Sequence, residues 1–462
     1  MSGVAWSTPQ ARGVVAAATL GSGLTLLDGS VVNVALRTMG DDLDASLSQL
    51  QWITNGYFLS LASLILLGGS LGDRLGRRRV FVIGTVWFAA ASLLCGVAPN
   101  AEVLIAARVL QGVGGALLTP GSLAMIQGAF RAEDRSRAIG AWSGLGGIAA
   151  ALGPLVGGLL VDHASWRWIF LINLPLAVLT VWLAQRWVPE TRDPRAQGRF
   201  DLAGAALASL ALAGTTWALT DAGGSATPWA AGIGLLAAVG FLVVERRVAD
   251  PMVPLGLFAD RTFSAANAMT LVVYAALGAM LFFLVLQLQT VSGYTALEAG
   301  LATLPITACM LGLAARGGAL AERIGPRIPM TVGPLVMAAG TLLLLDVGAD
   351  VSWWRDVLPG LTVFGLGLAL MVAPLTATVL AAAPDEEAGI ASGINNAVAR
   401  AGSLLAVAAL PMAVGLAGDD YRDPALFDAA YASAMVACAA LLAVGGVVSW
   451  FSIPSRVRTP SA

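Results

Sequence analysis

"GSLGDRLGRRR", Gly69–Arg79, returns 249 positions later as "GALAERIGPRI", Gly318–Ile328. Gly69 corresponds to Gly318, Leu71 to Leu320, Asp73 to Glu322, Arg74 to Arg323, Gly76 to Gly325 and Arg78 to Arg327. Short loops rich in glycine and arginine can agree by chance. Here the apolar runs around them share the offset, because the start of the first run maps onto the start of the ninth. A stretch repeated together with its surroundings implies a chain of two like halves.

Those surroundings are apolar. Of 462 residues, 57% are hydrophobic and 12% charged, against roughly 25% charged in soluble domains. A bilayer-crossing helix needs about 20 mostly apolar residues. The pattern predicts fourteen, near 13–36, 49–71, 79–97, 103–128, 138–161, 168–187, 202–221, 228–245, 264–289, 296–317, 328–347, 356–380, 390–416 and 430–452. The two copies of the loop fall after the second and the tenth. The predicted fold class is therefore an all-α polytopic membrane protein of fourteen transmembrane helices. It comprises two six-helix bundles, 1–187 and 263–462, with a helix pair inserted as a linker at 188–262. Parallel halves of this kind are a transporter architecture, with substrate handled where the halves meet.

Several chemistries are excluded by composition. There is no lysine, so all 26 basic residues are arginine, and His163 is the sole histidine. A phosphate-gripping P-loop lysine and Schiff-base chemistry are ruled out. Cys95, Cys309 and Cys438 lie far apart in apolar runs, which argues against a zinc site or a disulfide framework. No metal and no cofactor are expected, nor any nucleic-acid partner, and the expected state is a monomer. The first apolar run is too long for a signal-peptide core and is expected to remain as the first helix.

An even number of spans puts both termini on one side. With the termini cytoplasmic, inner segments hold twenty arginines, among them Arg77, Arg78, Arg79, Arg195, Arg199, Arg456 and Arg458. Outer segments hold Arg37, Arg167, Arg355 and Arg422, beside acids such as Asp41, Asp42, Asp44, Asp419, Asp420 and Asp423. Only Arg108 and Arg400 fall within spans. The bias follows the positive-inside rule. It predicts a multi-pass protein of the bacterial inner membrane with both termini cytoplasmic. Asp201, Asp221, Glu245 and Asp346 fall near span ends and read as boundary residues with water at hand.

With these features in place, the chain resembles the major facilitator superfamily. "GSLGDRLGRRR" is similar to that family's signature loop, and "RVLQGVGGA", Arg108–Ala116, to its helix 4 motif. "GLGGIAAALGPLVGG", Gly144–Gly158, resembles the helix 5 motif associated with antiporters. "LDGSVVNVAL" from Leu27, "WRWIFLINLP" from Trp166 and "LQTVSGYTALEAGL" from Leu288 resemble the fourteen-helix drug:proton antiporter branch. Where that branch often has proline after the first of these, this chain has Arg37, which is expected to alter the end of helix 1.

Asp28 stands inside an apolar run, on helix 1, about fifteen residues or ~22 Å from its start. Helix 4 runs the other way, and Arg108 lies about five residues into it, at a matching depth of a ~30 Å core. An unpaired charge in lipid costs several kcal/mol, so the two are expected to pair inside the bundle. Burial disfavours a charged carboxylate and a nearby arginine favours it. A cycle that changes either influence would load and release a proton. The competing reading is an ion pair that only fixes packing.

In the loop, Gly69, Asp73, Arg74, Gly76, Arg77 and Arg78 are implied by the resemblance to form a cytoplasmic latch. Topology alone is the simpler account of its arginines. Gly153, Pro154, Gly157 and Gly158 permit close packing and a bend in helix 5, and the resemblance implies a gate against leakage. Candidates for a neutral, aromatic substrate wall are Asn33, Trp52, Asn55, Tyr57, Gln111, Asn267, Tyr274, Phe282, Gln287, Gln289, Asn395 and Asn396, with Arg400 a cavity or latch candidate. The expected function is export of a small amphipathic substrate such as a drug, in exchange for protons, with the proton gradient as energy source. A transporter of the same fold that moves a metabolite, siderophore or lipid is the alternative. A membrane enzyme or sensor would need an acid/base cluster at a membrane face or a soluble appendage, and neither is evident.

Overall fold

The computed structural model describes residues 3–192, 200–221, 223–384 and 387–455. Arg195, Arg199, Arg456 and Arg458, counted above for topology, lie outside the described residues. Every predicted span is a helix. In chain order these are α1 (Pro9–Asp42), α2 (Leu47–Leu75), α3 (Arg77–Gly96), α4 (Ala101–Ala129) and α5 (Ala132–His163). α6 is broken into Trp168–Leu171 and Asn173–Trp187. α7 (Leu202–Thr220) and α8 (Thr227–Arg247) are the inserted pair, followed by α9 (Arg261–Thr290) and a second broken helix, α10 (Ala296–Ala302 and Leu304–Ile324). The last four are α11 (Arg327–Leu342), α12 (Leu358–Ala381), α13 (Ala388–Ala413) and α14 (Pro424–Ser452).

Among the described residues, thirteen helices are long and apolar enough to cross a membrane. The other predicted span is α11, whose regular part has 16 residues, or about 24 Å. Beyond it Leu344, Leu345 and Val347 donate to carbonyls three residues back. That tighter winding rises about 2.0 Å per residue, so the run to Val347 reaches bilayer length. Polar caps mark several starts. Ser46 and Gln49 form a reciprocal capping box on α2, Thr295 and Glu298 do so on α10, and Asn100 caps α4. Arg37 does not interrupt α1, which continues to Asp42. Its Nε instead pairs with Asp41 one turn on, at 3.0 Å.

The chain divides into two compact units, Met1–Thr215 with Pro228–Met252, and Thr216–Thr227 with Val253–Ala462. Within the first unit α4 packs on α2 and α3, while α1 packs on α5 and α6, and α3 on α6. Within the second, α12 packs on α10 and α11, while α9 packs on α13 and α14, and α11 on α14. These are the same pairings moved on by eight helices.

The glycines repeat with them. A Cβ on Gly68 would lie 2.1 Å from the Ala116 carbonyl oxygen, and one on Gly317 would lie 2.5 Å from that of Ala369. Gly84 and Gly333 are a second equivalent pair of close approaches, to α4 and α12. Gly76 and Gly325 end α2 and the second piece of α10 at φ +120° and +84°. That region is open to glycine at little steric cost.

Two boundary readings need correction. Asp221 and Asp346 are exposed, but Asp201 and Glu245 are buried, at 8% and 4% exposure. A Cβ on Gly204 would lie 2.3 Å from Asp201 Oδ2 and 2.7 Å from Glu245 Oε1. The acids face one another because α7 and α8 approach closely through Gly214 and Gly234. Position along the chain shows only that each lies near a span end.

Candidate functional site

Asp28 and Arg108 pair as the depth count predicts. Arg108 Nη1 donates to Asp28 Oδ2 at 2.5 Å, and the two side chains are 1% and 0% exposed. Arg108 Nε donates to the Ile53 carbonyl at 3.0 Å, and Nη1 also meets Gln111 Oε1 at 2.6 Å. The guanidinium lies 4.4 Å from the Tyr57 ring centroid and 5.6 Å from that of Phe170. Arginine suits this place because its planar fork bonds in several directions and stacks on aromatic faces.

The other carboxylate oxygen is held by neutral donors. Asp28 Oδ1 accepts from Gln111 Nε2 at 2.8 Å and from Asn173 Nδ2 at 3.3 Å. Both amides also donate to Ser92 Oγ, at 2.6 and 3.1 Å. One carboxylate on α1 thus gathers groups from α3, α4 and α6. Gln111 was expected on a substrate wall, and its amide is instead spent on this cluster. Ser92 and Asn173 were not singled out from the sequence. The depth argument that paired Asp28 with Arg108 extends to them. Ser92 is four residues before the end of α3, Asn173 opens the second piece of α6, and Arg108 is seven residues into α4. A neutral side chain in an apolar run carries no charge to be balanced, so the sequence does not mark it.

The helix 5 glycines lie against the same part of α1. A Cβ on Gly153 would lie 2.0 Å from Ser30 Oγ, and one on Gly157 2.3 Å from Val31 Cγ2. Gly158 is buried as well, and Pro154 stands within the helix. The packing face of α5 therefore begins within two residues of Asp28.

Across the turn from α2 into α3, Asp73 pairs with Arg77 at 2.8 Å. Arg74 lies 4.6 Å from the Phe200 ring centroid. Gly69 packs on Pro120 of α4. The segment after α6 closes over this loop. Glu190 accepts from the backbone N–H groups of Arg78 and Arg79, at 3.1 and 3.2 Å. Arg77 N donates to the Thr191 carbonyl and Arg78 Nη1 to that of Val188. Glu190 thus supplies acceptors to the start of α3, where Gly76 has no side chain to do so. In the second copy, Arg327 Nε donates to the Ile453 carbonyl just after α14, at 2.6 Å.

The substrate-wall candidates scatter within each unit. In the first, Asn33 and Trp52 are half-buried, while Tyr57 is fully buried against Arg108. Asn55 is fully buried, with no hydrogen-bond partner among the described residues on either side-chain polar atom. In the second, Asn395 Nδ2 bridges Asn267 Oδ1 and Thr270 Oγ1, at 3.2 and 2.7 Å, and pins α13 to α9. Tyr274, Gln289 and Arg400 are half-buried, Phe282 is buried beside Phe283, and Asn396 is exposed. Gln287 Nε2 is bonded to the Val347 carbonyl and to Asp428. It sits seventeen residues from Thr270 along α9, about 26 Å away, too far for one small molecule to touch both. No group of three or more potential metal-ligating side chains occurs among the described residues.

Known proteins are similar to this chain. The tetracenomycin C resistance and export protein of Streptomyces glaucescens is 35% identical over 409 residues, spanning 85% of this chain and 74% of the relative. The puromycin resistance protein of Streptomyces alboniger is 35% identical over 455 residues, spanning 94% and 90%. A multidrug resistance protein of Mycobacterium tuberculosis is 37% identical over 399 residues, spanning 85% and 73%. Among solved structures, a bacterial homolog of the human lysosomal transporter Spinster superposes with TM-score 0.70 at 18% identity, covering 98% of this chain and all of that one. A D-xylose-proton symporter gives 0.69 at 17%, covering 96% and 98%. These two share the fold. The Major Facilitator Superfamily matches over residues 18–407 and again over 317–461. With its duplicated loop and its two like units, this multi-pass membrane protein belongs to that superfamily of transporters.

Proposed function

We propose that this chain is a proton-coupled antiporter that exports small amphipathic organic compounds by alternating access. The observation that carries the reading is Asp28, a carboxylate without exposed surface held by one cation and one neutral donor from α4 and by a second neutral donor from α6. Its charge balance depends on the relative placement of four helices, so a rearrangement of the bundle alters its hold on a proton. α5 touches α1 two residues away through Gly153, which gives a route for such a rearrangement. The relatives' names, resistance to tetracenomycin C and to puromycin, favour export of organic toxins.

In this reading the proton gradient supplies the energy, and no cofactor takes part. Asp73, Arg77 and the Glu190 segment form the latch, and the half-buried Asn33, Trp52, Tyr274 and Arg400 are substrate contacts. Arginine placement puts both termini on the cytoplasmic face of a bacterial inner membrane, and a monomer suffices. The test is reconstitution in liposomes with an imposed pH gradient and a panel of cationic dyes and antibiotics. Gradient-driven movement is expected for some of them, and its loss in Asp28→Asn with protein still in the membrane. Unchanged gradient-driven efflux in that variant overturns the coupling role.

A further inference from the structure

We propose that Asn173 is a positioning residue that sets the proton exchange of Asp28, its amide turning between two orientations that match the two states of the carboxyl. The proposal rests on the proton role of Asp28 given above. Asn173 is the first residue after the break in α6, with Pro175 two positions on, so its place is fixed by the backbone. It is 0% exposed. Its Nδ2 faces Asp28 Oδ1 and Ser92 Oγ. Its Oδ1 is buried and has no hydrogen-bond partner among the described residues.

A buried amide whose oxygen is unpaired by protein groups is unusual, because unsatisfied polar groups are costly away from water. Here that oxygen has a use. The ionised carboxylate accepts only, and Arg108, Gln111 and Asn173 all present N–H groups to it. When a proton arrives from the aqueous phase, an O–H bond forms on Asp28 and that hydrogen must be donated. Gln111 Oε1 already accepts from Arg108. Asn173 Oδ1 is an acceptor in the cluster without a partner among the described residues. A half-turn of the amide exchanges Nδ2 for Oδ1, since the two ends are nearly equal in size. Ser92 then donates where it had accepted. Asp28 is left with matched partners in both states, while the two Nδ2 bonds are exchanged for two to Oδ1 and the N–H groups turn into the buried space that Oδ1 leaves.

Charged and titratable groups near Asp28 are few. α4 brings Arg108, α3 brings Cys95, whose sulfur is 3.6 Å from Gln111 Oε1, and α2 brings Tyr57, whose hydroxyl bonds the Thr25 carbonyl. The titratable residues of α5 stand at its two ends, and that of α6 is Arg186, near its far end.

The test compares the pH dependence of gradient-driven dye efflux in proteoliposomes of the wild type, Asn173→Ala and Asn173→Asp, each checked for abundance in the membrane. Hydrogen bonds to a charged group are the stronger ones. Loss of the amide should therefore move the half-maximal pH upward by about one unit. Asn173→Asp, which adds a like charge, should move it further. The infrared carbonyl band of protonated Asp28, identified by its loss in Asp28→Asn, should shift in Asn173→Ala. If the Asn173 variants do not accumulate, Ser92→Ala should give a smaller upward shift. Wild-type profiles and an unmoved band overturn the proposal while coupling through Asp28 stands. An Asp28→Asn protein that still couples overturns both.

Discussion

Asp28 and Arg108 are unequal partners. Without Arg108, Asp28 would be a buried charge held by two amides alone. Arg108→Ala should therefore destabilise the purified protein strongly, by about 3–5 kcal/mol, read as a fall in melting temperature. Asp28→Asn should cost less, because Arg108 keeps the Ile53 carbonyl, Gln111 and the Tyr57 ring. The double variant Asp28→Asn with Arg108→Gln should be more stable than Arg108→Ala alone. Equal melting temperatures for Arg108→Ala and wild type would contradict the burial argument. Both charged residues were legible in the sequence, since a charge in an apolar run has to be accounted for and span counting gives its depth. Ser92 and Asn173 were not, because neutral groups within membrane helices are common. Only contact distances distinguish the ones that face Asp28.

Helices in this protein meet through glycine, and the closeness of approach separates essential from dispensable positions. Gly68→Ala would drive a Cβ to 2.1 Å from a backbone oxygen, and Gly157→Ala to 2.3 Å from Val31, whose branched side chain is stiff. Both should lower thermal stability and membrane abundance. Gly144, in the same motif stretch, has nothing within 4 Å of an added Cβ. Gly144→Ala should be neutral, or stabilising by up to about 1 kcal/mol through helix propensity. Thermal melting of the three variants checks the order. At the start of α3, Glu190→Ala removes acceptors from two backbone N–H groups and should lower stability by about 1 kcal/mol, with Glu190→Gln milder. The glycines were visible in the motif, but which of them touch α1 was not. Glu190 was invisible, because it lies more than a hundred residues from the groups it caps.

At the scale of the molecule, the repeat read from two loops reappears as equivalent helix pairings and equivalent close glycines in both units. Topology has a direct check. In a cysteine-free background, a membrane-impermeant thiol reagent added to intact cells should label Asp44→Cys and Gly223→Cys, and should label Arg131→Cys only after permeabilisation. The reverse pattern would invert the orientation drawn from arginine placement.

The sequence alone determined the number of spans, their order, the twofold repeat and the presence of a charge pair at one depth. These follow from local quantities, namely apolar run length, charge position and offset. Tertiary structure alone decided which neutral groups complete the Asp28 cluster, that Gln111 belongs to it, that Asp201 and Glu245 are buried face to face, and that Glu190 caps α3. Each of these depends on the rotation of a helix about its own axis and on how closely its neighbour approaches. A run that is apolar on every side leaves both undetermined, and packing fixes them.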